Sequence, residues 1–444
     1  MRRVISSCAA LLLSAGVAAA QQPPPASQPV SREEYDRVLQ EQAQMRRELN
    51  ELKAERNRAG PATTNPSASA PASAPVTQED LDDLDKEIRK IGQQVHSALP
   101  GTEHVVIAGD GEFGFVNQRG SPSSFFAGIA PLILWQPTDR LLIEAAADIG
   151  ISTDTSGSSS TSFDLTIANA SFIINDWLIV GGGLFVVPFG QYHNHFDPSW
   201  INKLPTDPLA FGDGGIAPSS QVGIFARGAF PIASTKLVYD VYLANGPQLN
   251  VNDPDAAGSF NFDDFTDLNN GKAVGGRIGF LPIPGIETGY SFQYAQTAPN
   301  GFQHVYAYLQ AYDLNVRQDF HGLGVFTVRT EWVWSSAERA TYGGGSTGFG
   351  PVTFSNYRTG GYAELAYRPT YAPNRFVKNV ELVTRFNYLK TPLSAPGGDR
   401  EELWEFGVDY WLTPSAVVKV AYDVDNKKVG QNQNAFYLQL GIGF

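Results

Sequence analysis

The side chains best suited to chemistry lie in a long segment between positions 190 and 219, where two histidines and a carboxylate follow closely on one another. His193, His195 and Asp197 carry imidazole and carboxylate groups, which are ordinary ligands of transition metals. A two-residue spacing outside a regular element is a weak metal signature. We therefore favour the alternative, in which aromatic and polar side chains of this segment pack together, and we expect no metal and no cofactor.

No catalytic constellation in the sequence is convincing, and the metalloprotease motif HExxH does not occur. A membrane hydrolase would need a Ser/His pair near one rim of the fold. His304 and His321, near the ends of predicted strands, leave that alternative open. We predict that the protein is not an enzyme and that it has no catalytic residues.

The last ten residues predict that β-strands position such side chains, because apolar residues alternate with other residues along them without a break. One face carries Phe436, Leu438, Leu440, Ile442 and Phe444, and the other carries Tyr437, Gln439, Gly441 and Gly443. Roughly ten residues tilted by about 45° cross a bilayer as a strand, with an apolar face toward lipid. A final strand that ends in Phe is similar to the assembly signal of Gram-negative outer-membrane barrels. The alternative is the last strand of a soluble sheet.

The composition favours β structure throughout. Hydrophobic residues make up 42% of the chain and charged residues 17%, with 44 Gly, 18 Tyr and 27 Phe. No apolar run of about 18 residues occurs after the N-terminal segment, so a membrane-spanning structure must be a closed barrel. The net charge of −13 argues against nucleic acid as a partner.

The N-terminus is predicted to be a signal peptide over residues 1–20. Arg2 and Arg3 precede an apolar run, and Ala18, Ala19 and Ala20 provide small residues for cleavage. The only cysteine, Cys8, lies inside that run. The exported chain therefore has no disulfide and no thiol chemistry.

Two helical segments are predicted before the barrel, at 21–58 and 77–100, separated by an Ala/Pro/Ser linker at 59–76. Mostly apolar residues recur at spacings of three and four, as in a coiled coil; they are Tyr35, Val38, Gln42, Met45, Leu49 and Leu52, then Leu81, Leu84, Ile88, Ile91 and Val95. Self-association is the favoured use. A helical hairpin and contact with the cell wall are the alternatives.

The barrel is predicted over 101–444 and contains about sixteen antiparallel strands. They are expected near 103–116, 123–136, 140–152, 161–174, 177–188, 219–231, 235–246, 271–282, 285–297, 301–315, 322–335, 355–369, 376–390, 401–412, 415–425 and 434–444. Short turns alternate with long loops, which is typical of outer-membrane barrels. The fold class is therefore an all-β transmembrane barrel preceded by a short α-helical coiled coil.

Alternation along these strands places charged residues opposite the lipid-facing stripe. The residues predicted to face the lumen are Arg227, Lys236, Asp240, Arg277, Arg329, Glu331, Glu364, Arg368, Glu381, Arg385, Glu405, Asp409, Lys419 and Asp423, together with Glu144, Asp148 and Glu287. A water-filled lumen would expose them, whereas a plugged barrel would pair them structurally. The acidic excess predicts a mild preference for cations or neutral solutes.

Three runs resemble the phosphate-selective porin O/P family: VPFG at 187–190, QVGIFA at 221–226 and YDVYLANG at 239–246. The resemblance implies a sixteen-stranded, homotrimeric channel in contact with outer-membrane lipid, with an inward third loop at 190–219. Phosphate-selective members have several Lys and Arg in that loop. The charged and histidine residues of this loop are instead His193, His195, Asp197, Lys203, Asp207 and Asp213, our candidates for a constriction.

The expected function is that of an outer-membrane porin, a passive diffusion channel for small hydrophilic solutes or ions, with the N-terminal segment in the periplasm. The alternative is a structural anchor that links the barrel to the cell wall through its coiled coil.

Overall fold

The computed structural model describes residues 105–153, 157–212, 214–262, 267–343 and 350–444. The predicted signal peptide, both predicted helices and the linker lie outside the described residues. So does Asp213.

Sixteen long antiparallel strands form a closed barrel in which each strand pairs with its neighbours in the chain and the last pairs with the first. The strands are β1 Val105–Gln118, β2 Ser124–Thr138, β3 Leu141–Thr153, β4 Ser159–Asn175, β5 Leu178–Val186, β6 Ser220–Ile232, β7 Thr235–Ala244, β8 Ala273–Ile283, β9 Ile286–Gln296, β10 Tyr306–Phe320, β11 Gly324–Tyr342, β12 Val352–Arg368, β13 Val380–Lys390, β14 Arg400–Thr413, β15 Ala416–Lys427 and β16 Ala435–Gly443. The predicted sixteen-stranded barrel is confirmed.

Three strands have boundaries that differ from the prediction by several residues. The strand expected near 322–335 extends to Tyr342. The strand expected near 301–315 is Tyr306–Phe320, because residues before 306 belong to the preceding loop. The strand expected to begin near 376 begins at Val380, because Val377–Asn379 form a single 3₁₀ turn. The differences at the starts of β10 and β13 fall at polar strand ends, where alternation gives little guidance.

The two rims of the barrel differ in the length of their connections. Strands β2 and β3, β4 and β5, β6 and β7, β8 and β9, and β14 and β15 are joined by two residues each. The opposite rim carries long loops, including 187–219 and 245–272. The turn between β6 and β7 contains Ala233 at φ 52, the only non-glycine residue with positive φ in the part of the chain that the structure describes.

Side chains alternate between the two surfaces of the barrel wall. On β14 the outward Trp404, Phe406 and Val408 are 47%, 51% and 49% exposed, whereas the inward Glu405 and Asp409 are 0% and 1% exposed. An outward aromatic and aliphatic surface is what a lipid environment requires. The buried core of the molecule therefore lies inside the barrel.

One side of the barrel interior is filled by two long loops. Loop 187–219, which we call the inner loop, contributes Phe189, Tyr192 and Phe211 to the main apolar cluster, and loop 245–272 contributes Leu249 and Phe260. The latter loop contains a small two-stranded pairing of Gln248–Leu249 with Phe260–Asn261. Both loops share this cluster with buried side chains of β5–β7 and β10–β12.

No helix among the described residues is long and apolar enough to cross a membrane.

Candidate functional site

The inner loop turns into the barrel directly after β5. The Gly190 N–H donates to Ser291 Oγ at 3.0 Å, and the Gln191 N–H donates to Glu331 Oε2 at 2.8 Å. The Gln191 amide also donates to Asp313 Oδ1 at 2.5 Å. Gly190 has φ +70°, and a Cβ there would lie 2.1 Å from Glu331 Oε2, so only glycine allows this entry.

The middle of the inner loop reaches the far wall, where Lys419 on β15 holds its backbone. The Lys419 ammonium donates to Ser199 O at 2.5 Å and to Asn202 O at 2.7 Å, and Leu204 O lies at 3.5 Å. Lys419 is 1% exposed. Because hydrogen bonds to a charged donor are stronger than neutral ones, this lysine fixes the local path of the loop.

A glycine on β16 gives the loop room at this position. A Cβ on the inward-facing Gly441 would lie 2.7 Å from Ser199 O. Ser199 is also held from the neighbouring strand, since its N–H donates to Asp110 Oδ2 at 2.8 Å. The inward glycine of the final strand therefore allows close approach of the loop backbone.

Arg385 on β13 is a second attachment of the inner loop. It donates to the Glu405 carboxylate from Nε at 2.5 Å and from Nη2 at 2.8 Å. The same guanidinium donates to Thr206 O at 2.6 Å, and Thr206 Oγ1 donates to Glu405. This arrangement uses the bidentate geometry that arginine and carboxylate favour.

Lys203 and Arg329 complete the attachment. The Lys203 ammonium lies 2.8 Å from Glu381 Oε1, and the Trp411 indole N–H donates to the same carboxylate at 2.7 Å. Arg329 donates to Ile201 O at 3.3 Å. The predicted constriction residue Lys203 is thus bound to the wall of β13 and β14.

Two other lumenal cations are engaged in ion pairs. Arg277 lies 2.6 Å from Asp313 and 2.9 Å from Glu287, and Arg227 lies 3.3 Å from Asp240. Buried ion pairs of this kind hold a geometry rather than add much stability. The wall from β6 to β15 therefore uses its charges to organise the interior.

Open space remains between the inner loop and the opposite wall. A cavity of about 190 Å³ is lined by Glu112 and Val116 of β1, Phe126, Ala127 and Gly128 of β2, Asp148, Gly150, Ile151 and Ser152 of β3, Ser162 of β4, Tyr437 of β16, and Pro205, Thr206, Asp207, Leu209 and Gly212 of the loop. A second cavity of about 20 Å³ is lined by Asp110, Glu112, Gly128, Ile129, Ala130, Asp148, Asp197, Pro198 and Ser199.

The two cavities adjoin along the barrel axis, because both are lined by Glu112, Gly128 and Asp148. The larger one extends along β1 to Val116, toward the rim with long loops, and the smaller extends to Asp110, toward the rim with short turns. The smaller cavity is wide enough for about one water molecule. We call the space of the two cavities, between the inner loop and β1–β4, the passage.

The structure distributes the five described candidate constriction residues in different ways. Asp207 lines the larger cavity and Asp197 the smaller. His193 is 2% exposed and packs edge-on against Phe211 at 5.6 Å between ring centroids. His193, His195 and Lys203 are not among the residues that line either cavity.

Two loop groups have shifted pKa values. Burial, with a smaller contribution from the charge of Arg277, lowers the pKa of His195 to about 4. Burial and the nearby Asp207 and Asp197 raise the pKa of the Tyr192 hydroxyl. Tyr192 therefore stays a hydrogen-bond donor, and it donates to Asp207 Oδ1 at 2.8 Å.

The candidate lumenal residues of the strands lie mostly in the interior beside the inner loop. The buried ones are Arg277, Arg329, Glu331, Glu364, Glu381, Arg385, Glu405, Asp409, Lys419, Asp423 and Glu144; the partly exposed ones are Arg227, Asp240, Glu287, Asp148 and Arg368; and the exposed one is Lys236, beside the turn between β6 and β7. Only Asp148 lines the cavities.

Sequence reasoning missed two acidic residues of the passage, Asp110 and Glu112 on β1. They share the inward face with Gly114, opposite the exposed Phe113. The alternation of apolar and polar side chains along β1 was the available signal. Gly109 and Gly111 weaken it, because they contribute no apolar side chain to the outward face. Among the residues that the structure describes, no group of three or more His, Cys, Asp or Glu is placed to hold a metal ion.

No protein-family profile matches the sequence, and no curated protein matches it. Solved structures do match. Salmonella typhi OmpF, in a complex with daunomycin, has a TM-score of 0.50 and 12% identity over 77% of this chain and 97% of that one. The fold is a porin-type barrel.

Two further similar structures have lower scores. Pseudomonas aeruginosa OpdK has a TM-score of 0.42 and 9% identity, over 77% of this chain and 99% of its own. Vibrio cholerae OmpT has a TM-score of 0.43 and 8% identity, over 77% and 97%. At 12% identity the comparison with OmpF shows the fold alone.

Proposed function

We propose that this protein is a passive channel of the Gram-negative outer membrane that conducts small hydrophilic solutes or ions. The observation that carries the proposal is the pair of adjoining cavities between the inner loop and β1–β4, whose lining combines acidic side chains with apolar ones. Nothing in the passage needs to react. Solutes cross by size and by the field of the lining groups.

The inner loop is the constriction in this proposal. It is held against the wall of β13–β15 by Lys203, Arg385 and Lys419, so that its Thr206 and Asp207 border the passage. Because buried charged groups fix the loop, the width of the passage beside it stays constant, which suits a size-limited channel.

The outward apolar surface supports contact with outer-membrane lipid, and we propose a homotrimer with the N-terminal segment in the periplasm. The runs at 187–190, 221–226 and 239–246, which resemble the porin O/P family, lie at the end of β5, on β6 and at the end of β7. They form the base of the inner loop. We place the chain near that family on these runs, and we do not transfer phosphate selectivity to it.

The anchor alternative has no observation in its favour among the described residues, since its coiled coil falls outside them. Conductance distinguishes the two functions directly.

The test is the single-channel conductance of the purified full-length protein in planar bilayers, compared with a variant in which residues 195–215 are replaced by a short Gly/Ser linker. We expect discrete openings of the unmodified protein and larger openings of the loop variant. A correctly folded barrel that conducts nothing would refute the channel, and an unchanged conductance in the loop variant would refute the constriction.

A further inference from the structure

One arginine inside the barrel has no carboxylate partner among the described residues. Arg277, Arg329 and Arg385 each pair with a carboxylate, at 2.6, 3.5 and 2.5 Å. Arg358 on β12 is 7% exposed, and its one hydrogen bond within the described part of the chain runs from Nε to Asn356 Oδ1 at 2.9 Å. Because an arginine does not lose its proton inside a protein, this side chain remains a buried positive charge.

The position of Arg358 is on the inward face of β12, between Asn356 and Gly360. The Asn356 amide donates to Gly258 O of the other long loop at 2.6 Å. A Cβ on Gly360 would lie 3.3 Å from the Ala210 Cβ of the inner loop. Arg358 therefore lies between the parts of the wall that the two loops cover, and it is not among the residues that line the passage.

A hydroxyl group faces inward beside this guanidinium. Ser335 on β11 is directly opposite Arg358 in the register of the two strands. Side chains in such positions have Cβ atoms about 4.5–5.5 Å apart. Ser335 is 1% exposed, and its Oγ has no hydrogen-bond partner among the residues that the structure describes. A guanidinium and a hydroxyl at this spacing can both donate to one small anion.

The chemistry of the two groups indicates which anion fits. A buried charge without a partner costs free energy, and a bound counter-ion removes that cost. The planar guanidinium matches the two oxygens of a carboxylate, and one positive charge balances a monoanion rather than a dianion. The inward neighbours of Ser335 on β11, Val333 and Ala337, are 0% and 8% exposed, so the adjoining wall is apolar and suits a short hydrocarbon tail.

From the unpaired guanidinium of Arg358 and the unsatisfied hydroxyl of Ser335, we propose that this protein binds a small monocarboxylate against the wall of β11 and β12. Arg358 holds the two carboxylate oxygens, Ser335 donates to one of them, and the apolar wall contacts the tail. The site lies outside the passage, so its occupation does not depend on the proposed channel function.

The test is NMR of carboxyl-labelled acetate in the presence of the purified full-length protein in detergent, where binding broadens the acetate signal. We expect a dissociation constant of about 1 mM, because acetate is too small for tighter binding. Arg358→Gln keeps a polar side chain beside Asn356 but removes the charge. It should weaken binding about tenfold or more, since hydrogen bonds to a charged donor are the strongest contacts of the site.

Ser335→Ala is a second variant, which removes a single oxygen and so disturbs the fold little. It should weaken acetate binding about threefold to tenfold, the range of one hydrogen bond. The matched control is Arg339→Gln, which removes the same charge from an exposed residue of β11. This control should broaden the acetate signal as much as the unmodified protein does, at equal amounts of folded barrel.

Competition identifies the ligand class. Propionate should displace acetate, whereas inorganic phosphate at the same ionic strength should displace little. Displacement by phosphate as readily as by propionate would overturn the monocarboxylate assignment. A signal that the unmodified protein does not broaden, or that Arg358→Gln broadens equally, would overturn the site itself.

Single-channel recording separates this site from the channel. A conducting protein that binds no acetate would refute the carboxylate site alone. An acetate-binding barrel that does not conduct would refute the channel alone.

Discussion

Replacing Lys419 by Met should release the inner loop from the far wall without changing the size of the side chain much. The ammonium now serves Ser199 O and Asn202 O at 2.5 and 2.7 Å in a buried position. A hydrogen bond to a charged group contributes about 1.5–3 kcal/mol, so losing two costs about 3 kcal/mol or more. At about 1.4 kcal/mol per factor of ten, the detached population of the loop rises about a hundredfold.

The assay is single-channel recording, which reports loop detachment as larger or noisier openings, together with limited proteolysis of the inner loop. Lys428→Met is the matched control, because Lys428 is exposed in the loop between β15 and β16. Lys419→Arg keeps a positive charge and hydrogen-bond donors at this position, so it should retain part of the loop attachment. If Lys419→Met recorded like Lys428→Met and resisted protease equally, the assigned role of Lys419 would be wrong.

Three further predictions address the inner loop and the wall. Gly441→Val should push the backbone of the inner loop away from β16, since even a Cβ would lie 2.7 Å from Ser199 O. The single-channel conductance should therefore change. Ala435→Val tests a larger side chain at another inward position of the same strand. Ala233→Gly should stabilise the barrel by about 1 kcal/mol in urea unfolding, because Ala233 has φ 52 and glycine adopts that region without strain; a loss of stability would contradict this. Burial lowers the pKa of His195 to about 4, so His195 binds a proton more readily when the loop is detached, and attachment should weaken as the pH falls from about 6.5 toward 4. His195→Asn should remove this pH dependence, which channel noise reports. His304→Asn, at an exposed histidine, should retain it.

Alternation predicted the barrel well because each strand separates lipid from the interior. Trp404 and Phe406 face outward and Glu405 faces inward, as their positions in the sequence indicated. The predicted strand boundaries were wrong where the contrast between apolar and polar faces is weak, as at the polar end of β10. The number of strands and their order follow from this local pattern together with turn length.

The inner loop could not be predicted in the same way, because its contacts join distant parts of the chain. Lys203 meets Glu381 at a separation of 178 residues, and Lys419 meets Ser199 at 220. The sequence singled out the loop by its length and composition, but it did not indicate that Lys203 would turn away from the passage. Asp110 and Glu112 line the cavities because the inner loop leaves the β1–β4 side open, which is a tertiary feature that alternation along one strand does not indicate.

The attachment of the inner loop to β13–β15 and β16 also bears on the order of assembly. The groups that receive the loop belong to the last strands of the chain, and Asp110, which holds Ser199, belongs to the first. Both sides of the receiving surface come together only when β16 pairs with β1. Closing such long segments is entropically costly and slow. The narrowing of the passage is therefore completed by the same step that seals the barrel, so a partly assembled chain has neither a finished wall nor a finished constriction.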